Sequence, residues 1–323
     1  MRFICVLTFV GLLGQQALLR HSVASARQAL KPLIVVSVWY NGPRTKPPQA
    51  LNASIPDDVL RADLTAIRSA GYNGITTWIS WRDGEPRRGA LDVGQLDRLA
   101  SLAAEIGLHV QIDVYTADEP AWKTDGTNAL AGAFYQRVRD HYSNRRGIEV
   151  GYAGSTGSLG QRQIRIEPRF EDDGSRSLAP QGRLQLWSMV AAGQKRIGFV
   201  DEKGVFTNDM RRAGEAAGVI TRNQDLFGPL QPRTENNKVV VENGGIVARI
   251  LESPDAIVIV ALNHDERPRR RTLTFPPDLP EAIWQNMIDG TAVNFVMGPS
   301  GPFYEHRFEG YETLVLAIRK TLR

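Results

Sequence analysis

Cysteine is nearly missing from this 323-residue chain: the only one is Cys5. It sits in an apolar leader, Phe3 to Leu19, preceded by Arg2 and followed by Val23-Ala24-Ser25-Ala26, an A-x-A cleavage pattern. Residues 1–26 are therefore expected to be a signal peptide, and the mature chain to be free of cysteine. Disulfides, thiolate nucleophiles and cysteine-ligated metals are excluded with it. The leader is short for a bilayer span and is interrupted by Gln15 and Gln16. No stable membrane span is expected after cleavage, and the protein should be secreted or periplasmic.

Other absences narrow the chemistry. No acidic residue precedes Asp57, so losing Arg2 and Arg20 with the leader lowers the formal charge from +4 to about +2. That is too small to argue for nucleic acid. The one basic run, Arg267-Pro268-Arg269-Arg270-Arg271, reads as a solvated strand edge or turn. The five histidines (His21, His109, His141, His264, His306) show no H-E-x-x-H spacing. No P-loop or G-x-G-x-x-G stands between a strand and a helix, and Gly154-Ser155-Thr156-Gly157-Ser158 reads as a flexible linker. Neither a metal nor a cofactor is expected.

What is present is an alternation of strands and helices. Leu33 to Tyr40 is a continuous Val-rich run suited to a buried parallel strand. A helix opens at Pro56-Asp57-Asp58, its acids favourable at the positive end of the helix dipole. It buries Leu60, Leu64 and Ile67 and stops at Gly71. Ile75 to Trp81 is a second strand. A second helix follows over Leu91 to Ile106, with Leu96, Leu99, Leu102 and Ala103 facing in, and His109 to Tyr115 is a third strand. Further helices are predicted over Leu130 to Tyr142, Arg183 to Ala192 and from Thr207 or Asn208 to Ile220. Strands are predicted at Ile148 to Ala153, Gln163 to Glu167 and Arg196 to Val200. Parallel strands need crossover connections and cover on both faces. The expected architecture over residues 29–233 is therefore a TIM-type (β/α) barrel with about six strands where a complete barrel has eight. The shortfall falls between Ala153 and Gln163, too short a stretch for a strand–helix–strand crossover.

After Pro229 and Pro232 the texture changes to short, alternating or β-branched runs separated by turns such as Asn243-Gly244-Gly245 and Asp289-Gly290. Residues 236–323 are predicted to form a small antiparallel β-sandwich domain.

Trp81 to Gly107 (WRDGEPRRGALDVGQLDRLASLAAEIG), Asp118-Glu119-Pro120-Ala121-Trp122 and Leu178 to Val200 resemble the β-galactosidase-like (β/α)8-barrel glycoside hydrolases, near family forty-two and its large retaining clan. The tail from Trp284 to Ile318 resembles the small β-domain that often ends such enzymes. The resemblance implies an oligo- or polysaccharide substrate and two carboxyl groups about 5–5.5 Å apart across the glycosidic bond. It places the nucleophile at Glu167, with Glu171 as rival. The family's Asn-Glu acid/base pair has no counterpart at the carboxyl end of Ile148 to Gly154, where Glu149 comes too early. Asp113, Asp118 and Glu202 are weaker candidates for the proton donor. The alternative is an inactive sugar-binding or structural relic left by internal deletion.

Function in such folds gathers where parallel strands end, and the resemblance makes Trp39, Trp81, Glu85, Asp113, Glu119 and Trp122 the sugar-binding candidates. Trp39 and Trp81 read equally as core or as sugar platforms. Glu85 reads also as a loop-fixing acceptor, Trp122 as a rim residue, and Trp78 and Trp187 as packing. Glu167 reads equally as a salt-bridge partner of Arg165 or Arg169. Asp113 interrupts an apolar strand, and a buried acid requires a partner.

Overall fold

The computed structural model describes residues 33–40, 55–124, 129–154, 163–166, 179–201, 208–235, 237–242 and 244–320. The expected signal peptide, Glu167, Glu171 and Glu202 lie outside these residues. Residues 34–323 form one compact unit.

The first part alternates as the sequence predicts: β1 (Val35–Trp39), α1 (Asp57–Ser69), β2 (Gly74–Ser80), a helical turn α2 (Trp81–Gly84), α3 (Gly94–Ile106), β3 (His109–Tyr115), α4 (Ala129–Tyr142), β4 (Ile148–Gly154), β5 (Gln163–Ile166), α5 (Ala179–Ala191), β6 (Arg196–Asp201), α6 (Asn208–Arg222) and a short α7 (Gln224–Phe227). The strands form one six-stranded sheet in the order β4-β3-β2-β1-β6-β5, and every pairing within it is parallel. This is an α/β fold on a central parallel sheet. β4 and β5 are its two edges, and no pairing between them occurs among the described residues.

The sheet is nonetheless strongly curved. Three strands separate β4 from β6 in the sheet order. At about 4.8 Å per step, a flat sheet would set them roughly 19 Å apart. Yet Arg196 on β6 grips Glu149 on β4 with both ends of its guanidinium, Nε to Oε2 at 2.7 Å and Nη2 to Oε1. Two side chains meet across that distance only if the strands curl round a common axis, as they do in a barrel wall. Both residues lie at the amino ends of their strands, so the pair spans the bottom of the curl.

Alternation divides each strand between two faces. Val36, Val38, Ile75, Ile79, Val110, Ile112, Val114, Ile197 and Phe199 join the helix stripes Leu60–Leu64–Ile67, Leu96–Leu99–Leu102 and Phe134–Val138–Tyr142 in one apolar cluster. Close helix packing has a local cause at Gly71, whose φ of +113° suits a residue without Cβ. A Cβ built there would lie 2.3 Å from the carbonyl oxygen of Gly214, so α6 rests directly on the turn after α1.

The remainder is antiparallel. β7 (Gln231–Pro232), β9 (Ile246–Ser253), β10 (Ala256–Asn263), β12 (Ile283–Asn286), β13 (Ala292–Asn294) and β16 (Thr313–Arg319) make one sheet, in the order β13-β12-β16-β10-β9-β7. β8 (Val240–Val241), β11 (Arg269–Thr274), β14 (Val296–Gly298) and β15 (Gly301–Phe308) make the other, in the order β14-β15-β11-β8. Ile257, Ile259 and Ala261 face a second apolar cluster with Leu273, Phe275, Trp284 and Phe308. Val258, Val260 and Leu262 face the first cluster, beside Leu184 and Trp187 of α5. The parallel and antiparallel regions therefore share a core, and the boundary expected at residues 233–236 follows the first strand of the antiparallel set. The basic run lies on β11, where Arg269 to Arg271 pair with β15 on one side. No helix among the described residues is long and apolar enough to cross a membrane.

Candidate functional site on the inner face of the parallel sheet

The face of the parallel sheet turned away from the helices carries different side chains. From β1 it takes Ser37 and Trp39; from β2, Thr76 and Trp78; from β3, His109, Gln111, Asp113 and Tyr115; from β4, Glu149 and Gly151. Parallel register sets Thr76 beside Gln111, Trp78 beside Asp113, and Asp113 beside Gly151. The polar residues at every second position of His109-Val110-Gln111-Ile112-Asp113-Val114-Tyr115 are the sequence signature of this face.

The face is layered from bottom to top. At the amino ends of the strands, the Glu149–Arg196 pair holds the Glu149 carboxyl below its usual pKa, against the opposing effect of burial. Burial, and then the Arg196 charge, push the His109 imidazole down. Next come hydroxyls, with Ser37 Oγ and Thr76 Oγ1 2.8 Å apart and both residues buried. Above them is Asp113, 7% exposed. Its Oδ1 accepts a hydrogen bond from Gln111 Nε2 at 3.0 Å. Burial raises its pKa, and the Gln111 bond only partly opposes this. A Cβ on Gly151 would come within 3.2 Å of Oδ1, so glycine leaves room for the carboxyl on its β4 side. At the top, Trp78 and Tyr115 meet edge to face with ring centroids 5.2 Å apart. Burial, with the Asp113 charge adding, pushes the Tyr115 phenol up to about 12. Trp39 ends β1 on the same face and is 7% exposed.

The expected sugar-binding residues separate into two groups. Trp39 and Asp113 lie on this inner face. Trp81, Glu85 and Trp122 instead build a latch on the helix side. Trp81 is fully buried, stacked on Phe134 at 6.3 Å and edge-on to Trp122 at 5.9 Å, so its indole has no free face. Glu85, 2% exposed, accepts from Trp81 Nε1 at 2.7 Å and from the Gly89 amide at 2.5 Å, and pairs with Arg137 Nη2 at 2.5 Å. Trp122 Nε1 donates to the Glu85 carbonyl at 2.7 Å. Glu119, at the rim, pairs with Lys123, whose ammonium lies 5.4 Å from the centre of the Trp81 ring. Asp118 pairs with Arg82 at 2.6 Å. The loops after β2 and β3 and α4 are thereby tied together, which positions the upper edge of the inner face.

Sequence reasoning passed over three inner-face residues. Trp78 was assigned to the core because its strand is apolar, yet it faces the polar side and is half-buried. Gln111 and Tyr115 were not singled out, although the alternation of β3 marks them.

A curved parallel sheet with helices outside and a polar concave face is the arrangement of (β/α)-barrel proteins, a fold that hosts many chemistries. The glycoside hydrolase family 42 model, described as β-galactosidase, matches residues 52–150, from just before α1 into β4. No curated protein sequence matches. Among solved structures, a noncanonic maltogenic α-amylase from Thermotoga neapolitana is similar over 90% of this chain and 100% of its own, at 11% identity and a TM-score of 0.54. A glycoside hydrolase family 5 protein from Bacteroides vulgatus is similar over 88% and 89%, at 12% identity and a TM-score of 0.55. An Anoxybacillus α-amylase gives 90% and 98%, at 8% identity and a TM-score of 0.55. At these identities the likeness is one of fold. The chain resembles glycoside hydrolases of the TIM-barrel clan.

Proposed function

We propose that this protein is an exported, glycoside hydrolase-like protein that engages a carbohydrate on the inner face of its parallel sheet, at the carboxyl ends of the strands. The observation that carries the reading is the set Trp39, Trp78, Asp113 and Tyr115: aromatic side chains for the C–H faces of a sugar ring, and one desolvated carboxyl for its hydroxyls. The partial family match and the fold of the neighbours support it.

Hydrolysis with retention needs a second carboxyl about 5–5.5 Å from the first. Among the described residues, Asp113 is the sole carboxyl on the upper inner face, since Glu149 is engaged by Arg196 below. Glu167 and Glu171 follow β5 in the sequence and are the candidates for a second acid. In this reading Glu167 attacks the anomeric carbon. A sugar-binding protein without turnover is the second reading, favoured by the lack of an acid/base after β4.

Aryl glycosides tested with wild type, Glu167→Gln, Glu171→Gln and Asp113→Asn decide between them. Loss of turnover in one glutamate variant alone, with a glycosyl adduct trapped in wild type, establishes the enzyme. Background rates in all four, with sugar binding retained, establish the binding protein. Loss of binding to every sugar tried ends both readings. Export is tested by the amino-terminal sequence of secreted protein, expected to begin after Ala26.

A further inference from the structure

Among the described residues Asp113 has no counter-ion. Its one polar contact among the described residues is Gln111, a neutral amide, and Oδ2 makes none. The Glu149–Arg196 pair lies at the amino ends of the strands on the same face, below the mid-strand position of Asp113. A buried acid is ordinarily paired, because moving a charge out of water costs several kcal/mol unless a partner restores it. Here the missing partner would be supplied by the ligand. The walls agree in kind: Trp78 stands beside Asp113 in the register, Tyr115 packs against Trp78, and Trp39 lies on the adjoining strand. Aromatic faces attract cations, and a carboxylate set among them is a recognition device for an ammonium group.

We infer that the sugar taken by this face is cationic, an amino sugar with a free, non-acetylated ammonium group that pairs with Oδ2 of Asp113 against Trp78. The inference rests on the carbohydrate reading above and narrows it to a substrate class. An N-acetylated sugar offers the carboxyl a neutral amide in place of a charge, and a neutral hexose offers only hydroxyls. Hydrogen bonds to charged groups exceed neutral ones by about 1 kcal/mol, so the free amine should bind tighter by about fivefold.

Calorimetry on the full-length mature protein tests this with three probes: glucosamine and galactosamine oligomers, their N-acetylated forms, and neutral glucose and galactose oligomers. The expected result is affinity about fivefold higher for the free amines and loss of that preference in Asp113→Asn. Equal affinity for amines and neutral sugars overturns the inference and leaves the carbohydrate reading intact. A preference that survives Asp113→Asn overturns the assignment to this carboxyl. No binding of any probe overturns both. The wild-type comparison decides even where the variant fails to fold.

Discussion

β3 and β10 are both central strands, and they use alternation in opposite ways. Every residue of β10 is buried, its odd positions in the cluster between the antiparallel sheets and its even positions against α5. β3 buries Val110, Ile112 and Val114 toward the helices but gives its other side to His109, Gln111, Asp113 and Tyr115. An apolar strand on both sides is the cheaper solution, at about 25 cal/mol per Å² gained on burial. A strand that places a carboxyl at mid-length forgoes that gain. β10 thus contributes packing on both faces, whereas the parallel sheet carries a cost concentrated on one face, which is where a binding function is expected to show.

The largest effects should come from the indoles of the two apolar clusters. Trp187 on α5 and Trp284 on β12 are each fully buried, and Trp187 packs against Phe227 at 5.6 Å. Replacing either by alanine should cost about 3–5 kcal/mol, read by denaturant unfolding. Because β10 and β16 contribute to the same cluster as α5, both variants should unfold in a single transition. Two separated transitions in Trp284→Ala would show that the antiparallel region melts alone and that the shared core does not couple the halves.

Next in size is Glu85. Truncation to alanine leaves Trp81 Nε1, the Gly89 amide and Arg137 without their acceptor. A cost of about 2–3 kcal/mol is expected, less than for a fully buried pair because Arg137 reaches water. If sugar binding falls while stability is untouched, Glu85 is a ligand of the substrate and the latch description is wrong.

Most of the fold was legible, for reasons the two strands illustrate. Period-two and period-3.6 apolar patterns set the strands and helices almost to their ends, because each element buries one continuous stripe. The gap after Ala153 was visible as missing length. The curl of the sheet was expected only through the barrel architecture, since no local pattern encodes a contact such as that of Arg196 with Glu149 across three intervening strands. The site was half legible. Asp113 stood out as an acid in an apolar strand, but tryptophans look alike in sequence whether they stack on a sugar or on a phenylalanine. Trp81, read equally as core or platform, is buried, whereas Trp78, read as packing, faces the polar side and is half-buried.

The Glu149–Arg196 pair should contribute less than about 1 kcal/mol, because Glu149 is half exposed and its charge is screened. Its pH signature is what sharpens the comparison. The folded pKa of Glu149 is lowered, so its contribution is present above the unfolded carboxyl value and is lost as pH falls through the folded one. Glu149→Gln should flatten that acidic decline in a stability–pH profile. An unchanged profile would mean that the pair does not persist in solution and that the curl is held by strand pairing alone.

Asp113 should behave with the opposite sign. Its folded pKa is raised, so the folded state holds a proton that the unfolded chain has already released. Stability is then highest below the unfolded carboxyl value and declines as pH rises through the folded one. Asp113→Asn keeps the shape and the bond from Gln111 but removes the titrating charge, so the variant should gain stability at neutral pH and lose that decline. The gain is the smallest effect expected in free energy, and it separates a site from a scaffold. If wild type is the more stable protein at neutral pH, the carboxylate is already paired in the free protein, and the concave face would then be as self-satisfied as the buried strand it was contrasted with.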